Sequence, residues 1–163
     1  MSRLDSFIRR VSAQRDCLNM AAGLIADLPG PILELGLGNG RTYHHMRELF
    51  PNREIFVFDR RVAAHPDCIP DNDHMILGDI TKTLPAALSR IGAPAALAHC
   101  DIGTGEKESN ARLIDTISPM VNALMTPAGI VCSDQEYSVK NWKLLPLPAS
   151  VKPGRYFINQ VDG

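Results

Sequence analysis

A chain of 163 residues, 45% hydrophobic and 21% charged, has the length and make-up of one soluble globular domain with its own core. A formal net charge of −1 argues against nucleic acid or an anionic membrane as a partner, and no apolar run approaches the roughly 18 residues of a membrane span. No signal-peptide pattern is visible, and Cys17, Cys68, Cys100 and Cys132 lack Cys-x-x-Cys spacing, so plain thiols in a reducing cytoplasm are expected rather than a metal motif.

The first element is a helix over about 2–28, with Leu4, Phe7, Ile8, Val11, Leu18, Ala22 and Ile25 near helical spacing. Arg3, Arg9, Arg10 and Arg15 outnumber Asp5 along its start. A solvated basic face is the plain reading. A patch for an anionic substrate and an organelle presequence are the sharper ones, the second weakened because the helix runs on into the domain with no cleavage site. Leu28-Pro29-Gly30-Pro31 breaks the pattern. A strand over 31–36 follows, then a helix over 40–50, a strand over 54–59 and an aperiodic loop over 60–73. A strand over 74–78 leads to a helix near 82–91, and a strand over 95–101 to a long helix over about 106–125 containing Pro119. The strand 128–134 is nearly continuous in apolar residues, as is 95–101, which suits central buried positions. Segments 142–147 and 155–161 read as a terminal hairpin. Strands alternating with helices imply a parallel sheet covered on both faces.

Glu34-Leu35-Gly36-Leu37-Gly38-Asn39-Gly40 lies between the first strand and the helix beginning with Arg41, Thr42 and Tyr43. Glycine lets a ligand approach the backbone, and the following helix offers free N–H groups and a positive dipole end. Asp59, Asp101 and Asp134 end strands, and Asp79 follows one. Each alone could be a turn or cap residue. Together they should converge on the carboxyl rim of the sheet, where open parallel sheets bind ligands. Asp59 lies 19 residues after Gly40, a spacing that suits the ribose of a dinucleotide or of an adenosyl group. A dinucleotide turn started at Gly36 needs glycine at position 41, where Arg41 stands.

Glu34-x-Gly36-x-Gly38-x-Gly40, then Asp59, then Gly78-Asp79-Ile80, resembles the class I S-adenosylmethionine-dependent methyltransferases over about residues 30–134. The segment Met120–Asp134 looks like that family's fourth helix and fifth strand. The resemblance implies an α/β, Rossmann-like, doubly wound and mostly parallel seven-stranded sheet, with an antiparallel C-terminal hairpin and the N-terminal helix added. A single domain, 1–163, would hold the helix 1–28, a cofactor core 30–134 and the hairpin 142–161. S-adenosyl-L-methionine would be the cofactor. Gly36, Leu37, Gly38 and Gly40 would let the backbone approach its methionine part, and Glu34 would support its ammonium. Arg41, Thr42 and Tyr43 would cap its carboxylate end. Asp59, with Arg60 beside it, would hold the ribose hydroxyls. Gly78, Asp79 and Ile80 would meet the adenine, and Asp101 with Ile102 would floor the methyl.

The segment Asp101-Ile102-Gly103-Thr104-Gly105 does not match the Asn/Asp-Pro-Pro-aromatic motif of amino-directed DNA methyltransferases, and there is no Pro-Cys dipeptide. A small-molecule methyl acceptor is therefore expected. The N-terminal helix, the 102–106 loop, the 134–142 segment or a second subunit of a homo-oligomer would recognise it. Asp101, Asp134 and His99 are candidate bases, His99 with the plain alternative of a satisfied core histidine. Asp101, Asp134 and Gln135 also resemble the Mg²⁺ ligands of catechol-type O-methyltransferases, with Gln135 where that family has Asn. A non-catalytic adenosyl-binding regulatory module and an NAD-binding oxidoreductase fragment are the other classes.

Overall fold

A computed structural model describes residues 2–162; Met1 and Gly163, the ends of the expected 1–163 span, lie outside the described residues. Helix α1 covers Arg3–Leu24, opened by a reciprocal cap in which Asp5 N–H donates to Ser2 Oγ and Ser2 N–H to Asp5 Oδ2. Its buried stripe is Ala13, Gln14, Cys17, Leu18 and Ala21. Leu4, Phe7 and Ile8, expected on the buried face, are exposed. The core-facing stripe begins only at Ala13, so the opening turns are left uncovered by the core. Phe7 is instead flanked by the guanidinium groups of Arg10 and Arg41, 5.8 and 5.4 Å from its ring centre.

Strands β1 (Ile32–Leu35), β2 (Ile55–Asp59), β3 (Met75–Leu77), β4 (Ala95–Cys100), β5 (Met125–Ser133), β6 (Lys143–Leu144) and β7 (Phe157–Gln160) form one sheet in the order β3-β2-β1-β4-β5-β7-β6. The first five pair in parallel; β7 runs antiparallel to β5, and β6 to β7. The expected seven-stranded, mostly parallel α/β fold with an antiparallel C-terminal hairpin is therefore present. Alternate residues serve two cores. Ile32, Val57, Leu97 and Ile130 pack with α1 and with α2 (Arg41–Leu49), whereas Leu33, Phe56, Ala98 and Val131 face the opposite layer. That layer is built from α3 (Ile80–Thr83), α4 (Leu88–Ile91) and α5 (Lys107–Leu124).

Two expectations need correcting. The helix near 82–91 is two short helices, because Pro85 has no N–H to continue α3 and its ring crowds the preceding turn. Strand β5 starts at Met125 rather than at 128, directly from the end of α5, and its register against β4 shifts between Ala95 and Leu97. Among the described residues, no helix is long and apolar enough to cross a membrane.

Candidate active site at the sheet switch point

The strand order reverses between β1 and β4, so the loops leaving them part to opposite sides and open a crevice at their carboxyl ends. Gly36 N–H donates to Phe58 O at 2.8 Å and Asp101 N–H to Leu35 O at 3.1 Å, which holds both loop starts on the sheet. A Cβ on Gly36 would lie 2.7 Å from the Asp101 carbonyl oxygen, so only glycine lets the two loops touch. Gly38, with φ +53°, differs: a Cβ there would meet nothing within 4 Å. It faces the open crevice. A cavity of about 460 Å³ on one side is lined by Phe58, Asp59, Gly78, Ile80 and Ile102 among others. A second, about 230 Å³, lies toward Arg10, Gln14, Asn39, Arg41 and Thr42. Gly36, Gly38, Asp101 and Gly103 line both, so the two make one groove across the glycine turn.

Asp59 anchors that turn. Its Oδ2 accepts from Leu37 N–H at 2.9 Å and Gly38 N–H at 3.2 Å, and its Oδ1 from Arg60 N–H at 2.6 Å and Arg61 N–H at 3.3 Å. Asp79 caps α3, accepting from Thr81 N–H at 2.9 Å and Thr81 Oγ1 at 2.8 Å, while its Oδ2 faces Arg60 at 3.7 Å. The Thr81 bonds hold its carboxyl below the usual range. Arg41 opens α2 on the surface, with its N–H on Asn39 Oδ1 at 3.2 Å. Tyr43 was expected beside the cofactor but is buried between α1 and α2, its hydroxyl accepting from Arg47 at 3.3 Å; helical spacing turns position 43 inward. Glu34 is also fully buried beneath the turn, accepting from Thr42 Oγ1 and lying 2.6 Å from His99 Nδ1.

The β4 and β5 ends bring Asp101 and Asp134 together. Asp101 Oδ2 accepts from Gln14 Nε2 at 2.5 Å, with Arg10 Nη1 at 3.5 Å, so α1 is tied down across the rim. Asp134 Oδ2 accepts from Gln135 Nε2 at 3.2 Å, and its Oδ1 is buried without a hydrogen-bond partner. Burial first, and then the Asp101 carboxylate, push the Asp134 carboxyl up to about 6. Gly103 lies over this pair, where a Cβ would sit 3.2 Å from Asp134 Oδ2, and Asn110 Oδ1 holds the loop through Thr104 N–H at 2.9 Å. Arg10 belongs to the basic run that opens α1, whereas Gln14 carries no motif; its one signal in the sequence is a polar residue inside an otherwise apolar helical stripe.

A sequence-family profile described as S-adenosyl-L-methionine methyltransferase matches residues 1–161. The chain belongs to that family. The S-adenosyl-L-methionine methyltransferase of Silicibacter pomeroyi DSS-3 is 46% identical, with 99% of each chain covered and a TM-score of 0.92. Apo CalS11, a TDP-rhamnose 3′-O-methyltransferase of calicheamicin biosynthesis, shares the fold at 20% identity, covering 97% of this chain and 83% of that one, TM-score 0.65. MycE, from the mycinamycin pathway, does so at 15%, covering 89% and 45%, TM-score 0.59. No curated protein sequence matches significantly.

This methyltransferase thus uses S-adenosylmethionine, and the groove fits such a ligand: the cradle at Gly38 is open, and carboxylates and the N-terminal turn of α2 flank it. A divalent cation fits poorly. The Arg10 guanidinium already stands at Asp101, Gln135 offers Asp134 its amide nitrogen, and no cluster of three or more His, Cys, Asp or Glu is gathered among the described residues.

Proposed function

We propose that this methyltransferase transfers a methyl group to a small-molecule acceptor held over Asp101 and Asp134. In this reading the adenosyl half lies in the larger cavity, its ribose against Asp59 and its adenine near Gly78, Asp79 and Ile80. The methionine half crosses Gly36, Leu37, Gly38 and Gly40 toward Arg41 and Thr42, over the buried Glu34. The cofactor supplies an already activated methyl on a sulfonium. The chain's contribution is then alignment, which is worth up to about 7–11 kcal/mol for well-oriented reactants.

The observation that carries the acceptor assignment is the Asp101–Asp134 pair under Gly103: Asp101 lines both cavities, and Asp134 lies behind it. A carboxyl raised to about 6 is mostly ionised at neutral pH yet more basic than an ordinary carboxylate, the condition for an efficient general base. Its Oδ1 is buried without a hydrogen-bond partner, and is the atom that would take the proton of an acceptor hydroxyl or ammonium brought against it. Asp101, pinned by Gln14, keeps the second charge in place and the methyl floor shaped. The enclosure by α1 and the 102–106 loop suits a metabolite, and the net charge of −1 gives a polyanion no global attraction. CalS11 and MycE share only the fold, so the acceptor class stands on the cleft. Four free cysteines, three of them buried, suit a reducing cytoplasm.

The test is transfer of labelled methyl from S-adenosylmethionine into fractionated metabolite pools, followed by a pH–rate profile on the acceptor found. For a hydroxyl or ammonium acceptor, kcat/KM should rise with pH through about 6 and level off. Asp134→Asn should remove that limb and lower the rate on the order of 10²–10⁴-fold. A rate independent of Asp134 would remove the base assignment.

A further inference from the structure

Glu34 and His99 sit directly opposite each other on neighbouring strands β1 and β4, both on the α1/α2 face of the sheet. Both are 0% exposed. His99 Nδ1 lies 2.6 Å from Glu34 Oε2, and its other ring nitrogen, Nε2, is hydrogen-bonded to the hydroxyl of Tyr156, which is 1% exposed and directly precedes β7. At the opposite end, Glu34 Oε1 accepts from Thr42 Oγ1, in the first turn of α2. The chain of contacts therefore runs Tyr156, His99, Glu34, Thr42, from the C-terminal hairpin to the wall of the smaller cavity, which Thr42 lines.

Stability alone does not call for such a chain. A buried ion pair often contributes no more than apolar side chains of the same volume, and its members are costly once one partner is lost. This one joins β4 and β1, neighbours in the sheet, to α2 and to the residue before β7, which β5 separates from β4, and it ends at the cavity that the proposed function assigns to the methionine half. A carboxylate can only accept, so Thr42 Oγ1 and His99 Nδ1 both donate to it, and the pair fixes the Thr42 rotamer and the Glu34 carboxylate plane. Burial opposes a charge on His99, but the carboxylates around it, Glu34 first and then Asp101 and Asp134, together lift the imidazole above its ordinary value.

We propose that His99 and Tyr156 are positioning residues that act through Glu34 and Thr42 on the amino-acid end of the bound cofactor. The inference rests on the cavity assignment made under Proposed function. It goes beyond that assignment in giving a cofactor role to two side chains that never reach the cleft.

The test compares two ligands by calorimetry: S-adenosylhomocysteine, which carries the amino-acid end, and 5′-methylthioadenosine, which lacks it. Tyr156→Phe keeps the ring and removes only the hydroxyl. It should weaken S-adenosylhomocysteine binding about fivefold to tenfold, as expected for one hydrogen bond in a charged network, and leave 5′-methylthioadenosine within about twofold. His99→Gln should give the same split and serves if Tyr156→Phe does not fold. Unchanged S-adenosylhomocysteine affinity, or equal loss for both ligands, would overturn the relay and leave a structural role. Wild-type protein that binds neither ligand would instead overturn the cavity assignment, and the relay with it.

Discussion

Gly36 and Gly38 stand two residues apart and do opposite jobs. At Gly36 a methyl group would overlap the Asp101 backbone. Gly36→Ala should therefore destabilise the fold by about 3 kcal/mol or more, strain and overlap together, read by chemical denaturation. At Gly38 the space is empty of protein, so Gly38→Ala should cost only about 1 kcal/mol of backbone strain. Its larger effect should be on cofactor affinity, weakened at least about tenfold by a methyl group in the cradle. Asp134 gives a pH signature. Its carboxyl titrates higher folded than unfolded, so the folded state binds more protons between about 4 and 6, and stability falls as pH rises through that window. Asp134→Asn lacks this loss. It should be more stable than the parent by about 1 kcal/mol at pH 7–8, after allowance for its partial exposure, with no gain at pH 4. Matched melting curves at the two pH values check it. At this scale the sequence was legible wherever local chemistry decides, as in the glycine turn and the acidic strand ends. It was silent on the hydrogen bond from Gln14 to Asp101, which joins positions 87 apart in the chain.

Among the elements, α1 has the most to say about function. Its lower half packs on the sheet through Cys17, Leu18 and Ala21, and its middle reaches over the rim to Asp101 through Gln14. Removing the Gln14 amide with Gln14→Ala should cost about 1–3 kcal/mol, as for a hydrogen bond to a charged group. It should also loosen Asp101, so that kcat falls more than folding stability would explain, measurable with the identified acceptor. Leu18→Ala, wholly in the core, should cost about 2–5 kcal/mol while leaving KM for the cofactor near the parent value. The apolar spacing in the sequence announced the helix but misassigned its first two turns, because Leu4, Phe7 and Ile8 follow helical period whether or not a core lies beneath them. Pro85 explains the split of α3 from α4, a signal present in the sequence. His99 could be placed on the face of Asp101 by parity. Its pairing with Glu34 needs β4 beside β1, which follows from the strand order and not from any local pattern.

The molecule as a whole places a crevice where the order of the sheet reverses and closes one side of it with Arg10 and Gln14 from α1. Tyr156, from the C-terminal hairpin, supports the buried layer beneath it through His99. Cofactor binding should therefore stabilise the entire fold: at 100 times its dissociation constant, S-adenosylhomocysteine should add about 2.7 kcal/mol, seen as a rise in Tm. The central claim concerns where that ligand lies. A crystal structure with S-adenosylhomocysteine should show the ribose hydroxyls on Asp59, the chain of the ligand crossing Gly38, and its carboxylate end at Thr42. A ligand bound away from Gly38, with the Asp59 carboxylate touching only the loop's own N–H groups, would contradict it.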